Sequence, residues 1–180
     1  MIIGLSGYAQ TGKDTAAGFM APLGFERLAF ADPLKQVALE INPYIDAYRH
    51  RLGDIVGPNG WEFAKRLPEV RSLLQRLGVS VREHVDSDAW VKATMRKAHP
   101  GGRYVITDVR FPNEAKAITF RGGYIVRVTR PGVDAVNAHV SETAMDDWPF
   151  DAHLVNDADL ATFATRVNRL VLGLGLEVGR

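Results

Sequence analysis

Residues 7–15 read Gly-Tyr-Ala-Gln-Thr-Gly-Lys-Asp-Thr, the first arrangement in the chain able to do chemistry. Gly7, four further residues, then Gly12 and Lys13 have the spacing of a loop that wraps phosphate groups. Glycines let such a backbone turn without side-chain clash. Its N–H groups then point at phosphate oxygens, and the helix that follows adds its positive end. Lys13 is the cation expected to reach the β- and γ-phosphates of a nucleotide. The next position usually holds Ser or Thr, whose hydroxyl is a magnesium ligand; here it is Asp14, followed by Thr15. Two readings stay open. Asp14 coordinates the metal, directly or through water, or it caps the helix and leaves the metal to Thr15. The bland alternative is a glycine turn with a solvated Lys13. Context weighs against it, because the apolar run Met1–Ser6 precedes the loop and a helical pattern follows it. Gly7, Ala9, Gln10, Thr11, Gly12, Lys13, Asp14 and Thr15 are therefore the candidate nucleotide-binding set.

Further candidates lie downstream. Asp108 stands at the end of the apolar run Arg103–Val109, where the ligand crevice of an open parallel sheet lies. Its carboxylate can bind magnesium through water or hold an acceptor group. Arg110, two residues on, can grip phosphate through a bidentate pair. The alternative is a helix-capping Asp108 and a surface Arg110, and the neighbouring phosphate loop favours the functional reading. Asp32 and Lys35, in Phe-Ala-Asp-Pro-Leu-Lys, are an N-cap and a surface lysine, or a pair facing the acceptor. Arg76 and Arg82 can bind an acceptor phosphate, and Trp90 can stack on a base, although Trp90 also sits among residues of core type. Arg130 enters a long connection that carries His139 and Glu142. Glu142 is a candidate on the substrate side, whereas His139 receives no catalytic role, since phosphoryl transfer depends on positioning and charge neutralisation more than on a strong base. Asn156 touches an adenine ring or is a turn residue.

These side chains need a frame. Short apolar runs alternate with helical patterns, which predicts a mostly parallel sheet covered by helices. Expected strands are Met1–Ser6, Phe25–Phe30, Arg103–Val109, the Gly122–Arg130 run and a short His153–Asn156. Val70, Leu73, Leu74 and Leu77 recur at helical spacing, and Asp86 has the position of an N-cap for the helix after it. Leu160, Phe163, Val167, Leu170, Val171 and Leu174 mark the apolar face of a last helix beginning near Asp159. Residues 43–66 and 131–150 break the alternation and are expected to be irregular binding loops or lids.

The chain has 180 residues, 46% of them hydrophobic, with a formal net charge of +1. That is enough apolar material for a core, and it gives no broad attraction to nucleic acid or membrane. There is no cysteine, so disulfides, thiolate zinc sites and cysteine nucleophiles are excluded. The N-terminal Met-Ile-Ile-Gly-Leu-Ser-Gly lacks the form of a signal peptide, and a cytoplasmic location is expected.

In order, Gly-Tyr-Ala-Gln-Thr-Gly-Lys-Asp-Thr, Phe-Ala-Asp-Pro-Leu-Lys, the Leu73–Val91 stretch, Asp-Val-Arg-Phe-Pro-Asn-Glu from Asp108, Arg-Pro-Gly with His-Val-Ser-Glu, and Leu-Val-Asn-Asp resemble the deoxynucleoside monophosphate kinases of tailed bacteriophages. The resemblance implies an α/β P-loop kinase fold: a central mostly parallel sheet with helices on both faces, an acceptor-binding insert and a lid. Residues 1–180 would form one such domain, with the insert at about 35–99 and the lid at about 131–146. It implies ATP and Mg2+, a deoxynucleoside monophosphate as small-molecule acceptor, and ADP and a dNDP as products. It also implies that Asp14 is normal for the family. The loop would bind ATP; Lys35, Arg76, Trp90 and Arg110 would face the acceptor, and Arg130 the lid, with Lys13, Arg110 and Arg130 catalytic. No nucleic-acid polymer or membrane partner is expected, a homodimer is compatible, and the site of action would be the host cytoplasm. A dephospho-coenzyme A kinase-like or phosphomevalonate kinase-like enzyme and a non-catalytic nucleotide-binding module are the rival readings.

Overall fold

The computed structural model describes residues 1–134 and 143–175. The chain divides into two compact units, Met1–Phe30 with Thr94–Arg180, and Ala31–Ala93.

The first unit is built on a five-stranded parallel sheet of order β2-β5-β1-β6-β7. The strands are β1 (Ile2–Ser6), β2 (Glu26–Leu28), β5 (Tyr104–Ile106), β6 (Tyr124–Thr129) and β7 (Ala152–Val155). Every residue of β1 is buried, as a strand covered on both faces requires. Ile3 pairs with Val105 on one side, and Gly4 with Ile125 on the other.

Ile3, Leu5, Val126 and Val128 form one core with Ala16, Ala17 and Met20 of α1 (Lys13–Met20) and Phe163, Val167 and Val171 of α7 (Leu160–Gly173). On the opposite face α6 (Pro112–Thr119) approaches closely. A Cβ on Gly4 would stand 2.7 Å from Ile118 Cδ1 and 2.9 Å from Val109 Cγ2, so glycine there admits the helix. Strand order reverses beside β1, and this places a crevice at its carboxyl end. The loops after β1, β5, β6 and β7 all leave that edge.

The second unit is helical: α2 (Ala31–Ile41), α3 (Leu52–Ala64), α4 (Pro68–His84) and most of α5 (Ala89–Met95). Its core joins Ala38, Ile45, Leu52, Ile55, Ala64, Leu67 and Val70.

Residues 43–66 are not the irregular loop their composition predicts. Tyr44–Ile45 (β3) and His50–Arg51 (β4) pair antiparallel around a 3-10 turn at Asp46–Tyr48. The Glu69 carboxylate accepts from the N–H groups of Asp46 and Ala47, and Asn42 accepts from Gly53 N–H. Helix α3 then tolerates its glycines by kinking at Gly60, where φ is 73°. Strands β2 and β5 are each about half as long as predicted or less. The Phe30 N–H goes to the Asp108 carboxylate at 2.7 Å rather than to a neighbouring strand, which marks where both β2 and β5 have ended. Residues 135–142, half of the predicted lid, lie outside the described residues. Among the described residues no helix is long and apolar enough to cross a membrane.

Candidate functional site

The loop after β1 keeps its shape through tertiary contacts. Gly7 has φ 150°, and a Cβ there would lie 2.2 Å from the Val128 carbonyl of β6. Gly12 has φ 103°, and its Cβ would lie 2.6 Å from Asn156 Nδ2. Neither position admits a side chain. Gln10 also takes a left-handed conformation, with φ 66°. The buried Thr11 hydroxyl donates to the Tyr8 carbonyl at 3.0 Å. Asn156, beyond β7, donates from Nδ2 to the Thr11 carbonyl at 3.0 Å, while its own N–H goes to Thr129 O. Asn156 therefore supports the loop from below as well as facing the cavity.

Gly12 is the N-cap of α1, and no side chain caps that helix. Its first-turn N–H groups and positive end are left for an anion. Lys13 Nζ donates to the carbonyls of Gly7 at 2.7 Å and Tyr8 at 2.6 Å, so the ammonium lies folded over the loop. A cavity of about 430 Å³ opens here, lined by Gln10, Lys13, Asp14, Thr15, Arg130 and Asn156 together with the start of α7. Leu160, predicted for the apolar face of α7, is instead 67% exposed and lines this cavity. Asp159 caps α7 by accepting from Thr162 N–H at 2.8 Å, and these backbone donors hold its carboxyl below the usual carboxylate value.

The fit to a nucleotide phosphate chain rests on this uncapped helix start, the two glycines with no room for a Cβ, and a lysine within the loop. The fit to magnesium is different. Among the described residues no cluster of three or more His, Cys, Asp or Glu could cage a metal. Magnesium that binds through substrate phosphates needs only one or two protein oxygens, and both Asp14 and Thr15 line the cavity. Asp14 does not cap the helix; its Oδ1 pairs with Arg27 Nε at 3.3 Å.

At the end of β5, Asp108 commits one oxygen to Phe30 N–H. Arg110 is exposed, and its backbone is fixed by Glu114, whose Oε2 accepts from the N–H groups of Arg110 at 2.7 Å and Phe111 at 3.1 Å. Glu114 is 1% exposed. Sequence reasoning passed over it, although Pro at the first turn with Glu at the third position is a readable helix-start pattern.

Tyr8, Arg127 and Asp146 were also missed, because only the fold brings them together. The Tyr8 hydroxyl donates to Asp146, and Arg127 Nη2 pairs with the same carboxylate at 2.7 Å. Burial, and next the Asp146 hydrogen bond, push the Tyr8 phenol above its usual 10.0.

In the helical unit Lys35 pairs with Asp32 at 3.2 Å within the first turns of α2. Arg76 is exposed on α4. Trp90 is 6% exposed, and its indole N–H donates to the Gly78 carbonyl at 3.2 Å. That burial leaves no open face for stacking on a base. His139 and Glu142 lie outside the described residues.

The family model for deoxynucleotide monophosphate kinase matches residues 63–167. The chain belongs to the deoxynucleotide monophosphate kinase family. A protein of Acanthamoeba polyphaga mimivirus, provisionally named a deoxynucleotide monophosphate kinase, is 30% identical to this kinase over 191 residues, covering 93% of this chain and 94% of that one. The deoxynucleotide monophosphate kinase of Escherichia phage RB69 is 26% identical over 139 residues, 74% of this chain and 53% of its own length. Among solved structures, dephospho-CoA kinase from Campylobacter jejuni superposes with a TM-score of 0.52 at 12% identity, covering 96% of each chain. That likeness is one of fold, and it agrees with the predicted P-loop kinase architecture. The chain is thus a nucleotide kinase with a small-molecule substrate.

Proposed function

We propose that this kinase transfers the γ-phosphate of ATP to a deoxynucleoside monophosphate, yielding ADP and a deoxynucleoside diphosphate. The observation that carries the reading is the uncapped start of α1 behind Gly7–Thr15, open to a cavity lined by Lys13 and Arg130. An acceptor phosphate oxygen attacks the γ-phosphorus, the bond to the bridging β-oxygen breaks, and ADP takes the electron pair. The loop amides and Lys13 hold the charge that builds on the transferring and leaving oxygens. To do so Lys13 leaves the carbonyls of Gly7 and Tyr8. Arg110 and Arg130 align the acceptor and transferred phosphates. Magnesium would neutralise the β- and γ-oxygens, held on the protein side by Asp14, which follows Lys13 directly, with Thr15 as the alternative. Ala9, Gln10 and Thr11 complete the loop, and Asn156 holds it from the β7 side.

For the acceptor we assign Asp32, Lys35 and Arg76 of the helical unit, with Asp108 fixing the β5 end. ADP release measured across dAMP, dGMP, dCMP, dTMP and the ribonucleoside monophosphates tests the reading. Turnover of at least one deoxynucleotide is expected. Turnover of dephospho-coenzyme A or phosphomevalonate with none of any deoxynucleotide would overturn it, as would ATP binding without transfer to any acceptor.

A further inference from the structure

One charged group deep in the first unit has no part in the reaction just described. Arg127, on β6, is 9% exposed. Its guanidinium lies 4.8 Å from the ring centroid of Tyr8 and 5.4 Å from that of Phe150, so two aromatic faces flank the cation. It pairs with Asp146 at 2.7 Å, and the Tyr8 hydroxyl donates to both oxygens of that carboxylate, at 3.2 and 3.1 Å. One residue comes from the phosphate loop, one from the sheet, and two from the connection between β6 and β7.

Tyr8 also receives three demands through its backbone. Its carbonyl accepts from Lys13 Nζ at 2.6 Å and from Thr11 Oγ1 at 3.0 Å, and it follows Gly7, whose backbone packs on Val128 O. When Lys13 turns to a phosphate, the Gly7 and Tyr8 carbonyls lose an ammonium donor together. The loop must keep its shape through that exchange, and at Tyr8 the side-chain contacts with Arg127 and Asp146 persist independently of Lys13.

We propose that Tyr8, Arg127 and Asp146 form a positioning brace that holds the phosphate loop in its nucleotide-binding shape and couples nucleotide occupancy to the placement of residues 143–150. Tyr8 and Asp146 touch no reacting atom; they act through the loop backbone. The inference rests on the loop's assignment as the ATP site, and the test separates the two.

ADP binding is measured by titration calorimetry in the presence of magnesium for the wild-type protein and for Tyr8→Phe, Asp146→Ala and the double variant. Amide hydrogen exchange over residues 143–150 is followed with and without ADP. Tyr8→Phe keeps the ring over Arg127 and removes only the hydroxyl, so it should fold even if Asp146→Ala does not. Loss of one such hydrogen bond corresponds to about 3- to 10-fold weaker ADP binding. The double variant should bind no more weakly than the worse single one, since both break the same link. Protection of 143–150 by ADP should be present in the wild type and lost in Tyr8→Phe. A merely structural role would lower thermal stability without moving this ADP-dependent protection. ADP affinity within error of wild type in Tyr8→Phe, or protection of 143–150 that survives the substitution, would overturn the brace. A wild-type protein that binds no ADP would overturn the loop assignment itself.

Discussion

Asp14 and Arg27 form an ion pair at 3.3 Å, with side chains 77% and 45% exposed, at the edge of the cavity beside the Gly7–Thr15 loop. Arg27 comes from β2, two strands away from β1. The position after Lys13, where a hydroxyl usually stands, thus holds a carboxylate with a basic partner. An ion pair this exposed contributes about 0–1 kcal/mol, which is little to hold Asp14 against a competing cation.

If Asp14 is the metal-side group, Arg27→Ala removes a competitor. The magnesium concentration for half-maximal activity should fall. Asp14→Asn should raise it. Magnesium titrations at fixed ATP read both. An unchanged requirement in Asp14→Asn together with a raised one in Thr15→Val would reassign the metal contact to Thr15.

Lys13→Ala should reduce turnover by about 10²- to 10³-fold, the range seen when one stabilising donor is removed from a transition state. Its Nζ donates to the Gly7 and Tyr8 carbonyls, so a melting curve checks that the variant is folded before turnover is compared. Near-normal turnover in a folded variant would refute the phosphate-loop reading.

Glu114→Ala removes the acceptor of the partly buried N–H groups of Arg110 and Phe111, which should cost about 1 kcal/mol in chemical denaturation. Because Arg110 is assigned to the acceptor side, KM for the deoxynucleotide should rise more than KM for ATP. Glu114→Gln keeps an acceptor oxygen and should recover most of both losses. Equal rises in the two KM values would reduce Glu114 to a purely structural residue.

The Asp159 cap gives a pH signature. Its folded carboxyl sits below the usual 3.8, so its contribution is present above that value and is lost as pH falls through the lowered one. Asp159→Ala should therefore melt at a lower temperature than wild type at pH 7, and the gap should close on acidification below about pH 3.8. A gap independent of pH would mean that the carboxylate charge plays no part in the cap.

By itself the sequence determined what is local. The Gly7–Lys13 spacing, the buried run before it and the helix after it depend on neighbours within one turn or strand, and so could be read directly. The periodicity of Phe163, Val167 and Val171 likewise gave the buried face of α7. The tertiary structure decided what depends on strand order. Gly7 must be glycine because β6 lies beside β1 and Val128 O occupies the Cβ position. Asn156 reaches Thr11 across 145 positions because β7 closes the row on that side. Trp90, whose ring chemistry suits a base, is buried with its indole N–H on Gly78 O, twelve positions away. The 43–66 stretch folds because Glu69 and Asn42 supply backbone partners that composition does not announce. Side-chain spacing encodes the backbone's local shape, but which distant groups meet is fixed only when the sheet assembles and buried polar groups must find partners.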